Sequence, residues 1–298
     1  MLVDPAKVAE IRRSIITEFL VALNFSPQGW ARKLLSPILS LPAGRFAHMA
    51  AELDGRVEQS GMVEATRWFL SHYIDTLEIH GAENIPARGP VLFASNHPGA
   101  YDGVCILANC RRNDIHIVVS DIPFTHAFPS ILPHLVFVAA GTHGRMLALR
   151  EMLRRLQQDG AMLIFPTGFV DPDPELQPGS LQALETWSPS VEWILRQVPE
   201  TQLVPIIVSG VLAKASLRNP LTRLKKSAWE KRKLAEFLQV SQQLIFSKKF
   251  PLKPRLTFGP PISGTTLKQM SSGRDLLPAI IEQVRHVLFS HSTNQALL

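Results

Sequence analysis

A histidine and an aspartate five residues apart, His97 and Asp102, stand where an apolar run of β type gives way to a turn. Val91-Leu92-Phe93-Ala94-Ser95 is followed by Asn96-His97-Pro98-Gly99. After Asp102 and Gly103, Val104-Cys105-Ile106-Leu107 reads as the first turns of a helix. On one continuous helix this spacing would set the two side chains on different faces. On a strand end, a turn and a helix start they can meet. Asp102 would then hold one ring nitrogen of His97 and leave the other free to take a proton, with the nucleophile supplied by the substrate. The plainer reading of the same two residues is a turn histidine beside a helix-capping aspartate.

The elements that must position this pair follow from periodicity. Ala9 to Phe25 carries Ile11, Ile15, Ile16, Phe19, Leu20 and Leu23 on one broad face, Trp30 to Leu41 is a short amphipathic segment, and Met62 to Ile74 sets Trp68, Phe69 and Tyr73 among apolar neighbours. These helices either cap the core or form an interfacial hairpin with aromatic and basic residues at headgroup level. From Thr76 the pattern changes. Leu77 to His80, Val91 to Ser95, Ile115 to Ser120, Leu135 to Ala140, Ala161 to Phe165, Leu203 to Val211 and Arg255 to Phe258 read as strands. Pro205 inside the sixth of these predicts an edge or a bulge.

Helices are expected at Gly103–Asn109, at Arg145–Gln158 with Leu147, Leu149, Met152, Leu153 and Leu156 inward, at Leu181–Gln197 with a break near Pro189, over the basic region Thr222–Phe246, and at Leu276–Phe289. Residues 170–179, with three prolines and three acids, form a loop. Strands alternating with helices predict an α/β fold: a mixed, largely parallel sheet flanked by helices, with chemistry on the loops leaving strand ends. The expected organisation is an N-terminal helical region, 1–75, possessing an optional interfacial role, and an α/β domain, 76–298.

The 298 residues can bury a substantial core. No apolar run approaches the roughly 20 residues that a spanning helix needs, and the first residues lack the layout of a signal peptide. Cys105 and Cys110 have the wrong spacing for the usual zinc pairs and read as reduced packing residues. His116, His126, His134 and His143 form no metal-ligand pattern, so no metal is expected. The net charge is +6, but residues 210–255 hold 12 Lys and Arg against two Glu, a local +10 that leaves −4 elsewhere. That stretch, with Arg223 to Lys233, Lys248, Lys249, Lys253 and Arg255, is either a solvated face or a docking surface for anionic lipid or an acidic carrier protein. No module for nucleic acid accompanies it.

Four blocks in order now resemble the phospholipid/glycerol acyltransferase family, the enzymes that acylate glycerol 3-phosphate and lysophosphatidate. They are Asn96-His97 with Asp102, which looks like the family's His-x4-Asp motif; Gly141-Thr142-His143-Gly144-Arg145; Leu163-Ile164-Phe165-Pro166-Thr167-Gly168, similar to a Phe-Pro-Glu-Gly block; and Leu203-Val204-Pro205-Ile206-Ile207. The resemblance covers about Leu77 to Ile262. It implies a glycerol-3-phosphate acyltransferase-like fold, His97 and Asp102 as the catalytic pair, and Asn96, Gly144, Arg145, Phe165, Pro166, Thr167 and Gly168 as substrate contacts. It implies no cofactor beyond an acyl donor, acyl-CoA or acyl carrier protein, and a lipid or polyol acceptor. Transfer would be direct, since no serine or cysteine stands beside His97 in a nucleophile motif. Backbone N–H groups near the Pro98-Gly99 turn or the following helix start are candidate oxyanion donors. Thr167 stands where the family has Glu, which opens the identity of the acceptor. A cytoplasmic protein peripherally bound to an anionic membrane is expected. A non-catalytic lipid-binding protein on the same fold and a thioesterase-like hydrolase are the alternatives.

Overall fold

The computed structural model describes residues 4–23, 25–246, 250, 252–272 and 274–293; Lys248 and Lys249 of the basic stretch lie outside them. The chain opens with α1 (Pro5–Ala22) and α2 (Trp30–Leu70). It continues through β1 (Glu78–His80), β2 (Val91–Ser95), α3 (Asp102–Asn109), β3 (Ile115–Ser120), β4 (Leu135–Val138), α4 (Gly141–Leu156) and β5 (Ala161–Ile164). Then follow α5 (Ser180–Leu184), α6 (Ser190–Gln197), β6 (Gln202–Ser209), α7 (Lys214–Leu217), α8 (Ala228–Ile245), β7 (Arg255–Phe258), β8 (Ile262–Ser263), α9 (Gly264–Met270) and α10 (Leu277–Thr293).

The sheet runs β1-β7-β6-β2-β5-β3-β4, with β8 also paired to β6. The strands β6, β2, β5, β3 and β4 are parallel, while β7 and β8 run antiparallel to β6 and β1 runs with β7. This is the mixed, mostly parallel sheet flanked by helices that the alternating pattern predicts. Every residue of β2 is buried, which is why it reads as an unbroken apolar run. Val91 and Phe93 face α3 and the second half of α2; Leu92 and Ala94 face α4, α6 and α10. A large apolar side chain buried this way contributes roughly 1.5–3 kcal/mol.

Pro205 is not at a sheet edge, because β6 has partners on both sides. It falls between the residues that pair with β8 and those that pair with β7, and its carbonyl accepts from Gly259 N–H at the corner joining those strands. The missing N–H therefore faces a break in the ladder, as proline requires.

The helical segments at Trp30 and Met62 belong to one long element that changes direction at Gly61 (φ 81°). The stretch between them buries Ala43, Ala47, Ala50, Ala51 and Val57, small side chains that a search for large apolar residues passes over. Beyond Gly61, α2 joins the main core through Met62, Val63, Phe69 and Leu70.

Because five strands are parallel, their carboxyl ends share one edge of the sheet. There β2 delivers His97, β5 delivers Phe165 to Gly168, β6 delivers Gly210 to Ala213, and β4 leads into α4. Such an edge is where open α/β sheets bind ligands.

Candidate active site

Beyond Ser95, the Asn96 side chain continues the pairing of β2 with β6. Its Nδ2 donates to Val208 O (2.9 Å) and its Oδ1 accepts from Val208 N–H (2.8 Å). Expected among the substrate contacts, Asn96 is instead buried and occupied in fixing the strand end. His97 follows. Its Nδ1 lies 2.8 Å from Asp102 Oδ2, and its Nε2 meets no partner among the described residues. Asp102, the first residue of α3, is buried and also accepts from the N–H groups of Gly99 and Gly103. A carboxylate can only accept, so the neutral ring carries its proton on Nδ1 and presents the Nε2 lone pair outward. The imidazole lies against the Phe165 ring, with centroids 4.6 Å apart.

A second carboxylate clamps the same residue. Asp171 Oδ2 accepts from His97 N–H (2.8 Å), and Asp171 N–H donates back to His97 O (2.6 Å). Two residues on, Asp173 accepts from Gly210 N–H (2.8 Å) at the end of β6. The acidic proline loop thus latches the ends of β2 and β6 together. The sequence reads there only as a loop; the signal is the Asp-Pro-Asp-Pro alternation, in which prolines fix the backbone that aims the carboxylates.

Electrostatics follow from this crowding. Burial favours a neutral His97, but the carboxylates of Asp102, Glu236 and Asp171 outweigh it and push the ring up to about 9. Burial pushes Asp171 up to about 6, against its bonds from His97 and Thr167. Glu236, on α8, is half-buried, and burial pushes it up to about 7.

The remaining expected residues divide. Phe165 supports the ring, and Pro166 is buried with its carbonyl accepting from Ser188 N–H. Thr167 Oγ1 lies within hydrogen-bond reach of Asp171 Oδ2 (3.2 Å) and Phe169 O (3.1 Å), so its hydroxyl serves the loop. Gly168 turns the loop at φ 67°, and no protein atom lies within 4 Å of where a Cβ would sit; conformation, not close approach of the protein, calls for glycine there. Gly144 is buried, and a Cβ there would come within 2.5 Å of Ala139 O, so it lets α4 pack on the end of β4. Arg145 does not open the helix, which begins at Gly141; it is exposed and unpaired among the described residues. It lies in the first turns of the helix that follows β4, the edge strand, which is three strands removed from β2 in the sheet. Leu147, expected inward, is exposed, and Ala148 takes the inward place.

Among the described residues no nucleophile is poised at the dyad. Ser95 is buried with its hydroxyl donating to Asn96 O, and Cys105 is buried with its thiol pushed up. Of the backbone N–H groups near the Pro98-Gly99 turn, that of Gly99 is taken by Asp102, while the adjoining Ala100 N–H meets no acceptor among the described residues. Among those residues no three His, Cys, Asp or Glu side chains converge on a metal position. Two surface hollows of about 400 and 360 Å³, one lined by Arg274 and Pro278 and the other by Leu181 and Phe289, include neither His97 nor Asp102.

Residues 76–209 match the family model described as Acyltransferase. Among solved structures, the chain is similar to the 1-acyl-sn-glycerophosphate (LPA) acyltransferase PlsC from Thermotoga maritima, at 17% identity, covering 97% of this chain and 98% of that one, with a TM-score of 0.43. No curated protein sequence matches.

Proposed function

We propose, from the match of residues 76–209 to the Acyltransferase family model, that the chain moves a fatty acyl group from a thioester, on CoA or acyl carrier protein, to a hydroxyl of a glycerolipid-type acceptor. One observation carries the reading: the His97–Asp102 contact of 2.8 Å at the carboxyl edge of the sheet, with Nε2 free. Nε2 takes the proton of the acceptor hydroxyl as its oxygen attacks the thioester carbonyl carbon. Asp102 holds the tautomer and stabilises the imidazolium. Collapse of the tetrahedral adduct breaks the carbon–sulfur bond, and the departing thiolate takes the proton back from His97. Ala100 N–H is the donor offered to the oxyanion. Arg145 takes a phosphate of the donor or the acceptor.

A ring held up to about 9 is mostly protonated at neutral pH in the free protein. At pH 7.5 the base form is roughly 3% of the total, so turnover climbs with pH through that range.

The substrates come from a membrane surface. Trp30, Leu34, Ile38 and Leu41 lie on one face of α2, and each is more than half exposed (71, 62, 68 and 54%). A second exposed set, Leu221, Leu224 and Trp229, is interleaved with the cations Arg223, Lys226 and Lys231, and Trp229 touches Phe169 of the site loop. Apolar side chains among cations suit an anionic interface. No helix among the described residues is long and apolar enough to cross a membrane.

The test supplies long-chain acyl-CoA and a mixture of lysolipids to the purified protein and identifies products by mass spectrometry. Acylated lysolipid is expected. Release of free fatty acid that no acceptor diverts would establish a hydrolase instead, and lipid binding without any turnover would establish a carrier.

A further inference from the structure

Along α8, Arg232, Glu236, Gln239 and Gln243 fall at spacings of four, three and four, a single face of the helix. Three of the four are tied to the loops at the carboxyl edge. Arg232 Nε donates to Val170 O (2.8 Å), Gln239 accepts from Ala213 N–H (2.6 Å) and donates to Val211 O (2.9 Å), and Gln243 accepts from the Tyr101 hydroxyl (2.9 Å). Val170 precedes the Asp171 latch, Val211 follows β6, and Tyr101 adjoins Asp102. These bonds lay that face of α8 against the turn that carries the dyad.

Glu236 lies in the middle of this face and differs from its neighbours. It accepts no hydrogen bond and forms no ion pair among the described residues, although its charge acts on His97, Asp102 and Tyr101. The other polar groups at the dyad have partners: Asp102 has three donors, Asp171 has His97 and Thr167, and Gln239 and Gln243 have theirs. A half-buried carboxylate without a donor is unfavourable: burial raises its affinity for a proton and the Asp102 charge adds to that, against the charges of His97 and Lys233. The residue as a whole is partly exposed. A donor group from outside would satisfy it.

Resting on the acyl-transfer reading, we propose that Glu236 recognises the acceptor: its carboxylate takes hydrogen bonds from the headgroup of the lipid whose hydroxyl His97 deprotonates, and that headgroup carries O–H or N–H donors, a polyol or a primary ammonium, rather than a terminal phosphomonoester. A phosphomonoester dianion set against Glu236 would meet an acceptor where it needs a donor, although His97, Lys233 and Arg232 bring positive charge to the same region. Donor-bearing headgroups gain a charge-assisted hydrogen bond instead.

The experiment measures kcat and KM for wild type, Glu236→Gln and Glu236→Ala with palmitoyl-CoA and four acceptors: lysophosphatidylglycerol, lysophosphatidylethanolamine, lysophosphatidylcholine and lysophosphatidate. The wild type is expected to favour one of the first two. Glu236→Ala should raise KM for that acceptor about tenfold or more, while KM for palmitoyl-CoA stays within about twofold and KM for lysophosphatidate falls; loss of the Glu236 charge on His97 shifts the pH profile alike for all four acceptors. Glu236→Gln keeps the acceptor oxygen and should retain more of a glycerol headgroup's affinity than of an ammonium's, which separates the two donor sources. It also serves if the alanine variant fails to fold, as judged by thermal melting. A uniform change in kcat across all four acceptors with no acceptor-dependent change in KM would overturn the proposal, because Glu236 would then act through His97 alone. So would a wild-type preference for lysophosphatidate that the variants leave intact; acyl transfer itself would stand in both cases. No transfer by wild type to any acceptor would remove the acyl-transfer reading and this assignment with it.

Discussion

Replacing Asp102 by Asn keeps the shape of the side chain and removes its charge. The asparagine oxygen can still accept from Gly99 or Gly103 N–H, but its NH2 faces His97 Nδ1, where an acceptor stood. Two losses follow. The rise of the ring from its ordinary 6.5 up to about 9 amounts to roughly 3 kcal/mol in favour of the imidazolium. Asp102 is the leading favourable contributor, with Glu236 and Asp171 remaining, so about 2 kcal/mol, near thirtyfold, goes with its charge. The reversed hydrogen bond also favours the proton on Nε2, where it blocks the base; a wrong tautomer of this kind costs up to about 10⁴-fold. The expected outcome is a kcat lowered by about 10³- to 10⁴-fold, KM for acyl-CoA within about threefold, and a residual pH profile whose rise moves down from about 9 toward the ordinary histidine value. Thiol release from acyl-CoA, followed colorimetrically across pH with saturating acceptor, reads all three. A fall of less than tenfold with an unmoved profile would refute the reasoning.

Asn96→Ala removes both bonds to Val208 inside a buried strand pair; unfolding in denaturant should show about 2–4 kcal/mol less stability, with kcat falling more than KM rises. His291, held neutral by burial and by the Arg255 charge, has its ring pushed down to about 4. Between about pH 6.5 and 4 the unfolded chain binds a proton that the folded chain does not, so wild type should lose up to about 3 kcal/mol relative to His291→Gln as pH falls; a flat difference in denaturation midpoints would contradict this. Trp30→Ser with Ile38→Ser should weaken flotation with anionic vesicles about tenfold or more while leaving transfer to a short-chain, water-soluble acceptor unchanged.

β2 was legible because burial on both faces leaves an unbroken apolar run, and β3 and β7 also fall where the sequence places them, through β-branched content in the first and alternation in the second. Helix ends and the course of α2 were not, since its middle packs through alanines. At the site, the meeting of His97 and Asp102 followed from a strand, a turn and a helix start in succession. The contributions of Asp171 and Glu236 did not follow, because they depend on contacts spanning 74 residues in the first case and on the docking of α8 in the second, neither of which local spacing encodes. Gly144 shows the converse: a residue that motif likeness places at the substrate is held to its place by Ala139.

The most direct measurement is transfer of a labelled acyl group from acyl-CoA to a lysolipid by wild type and His97→Ala, each shown to melt at a similar temperature. Loss of transfer by about 10³-fold or more in the variant is the predicted result. Undiminished ester formation by His97→Ala would contradict the assignment of that imidazole as the base.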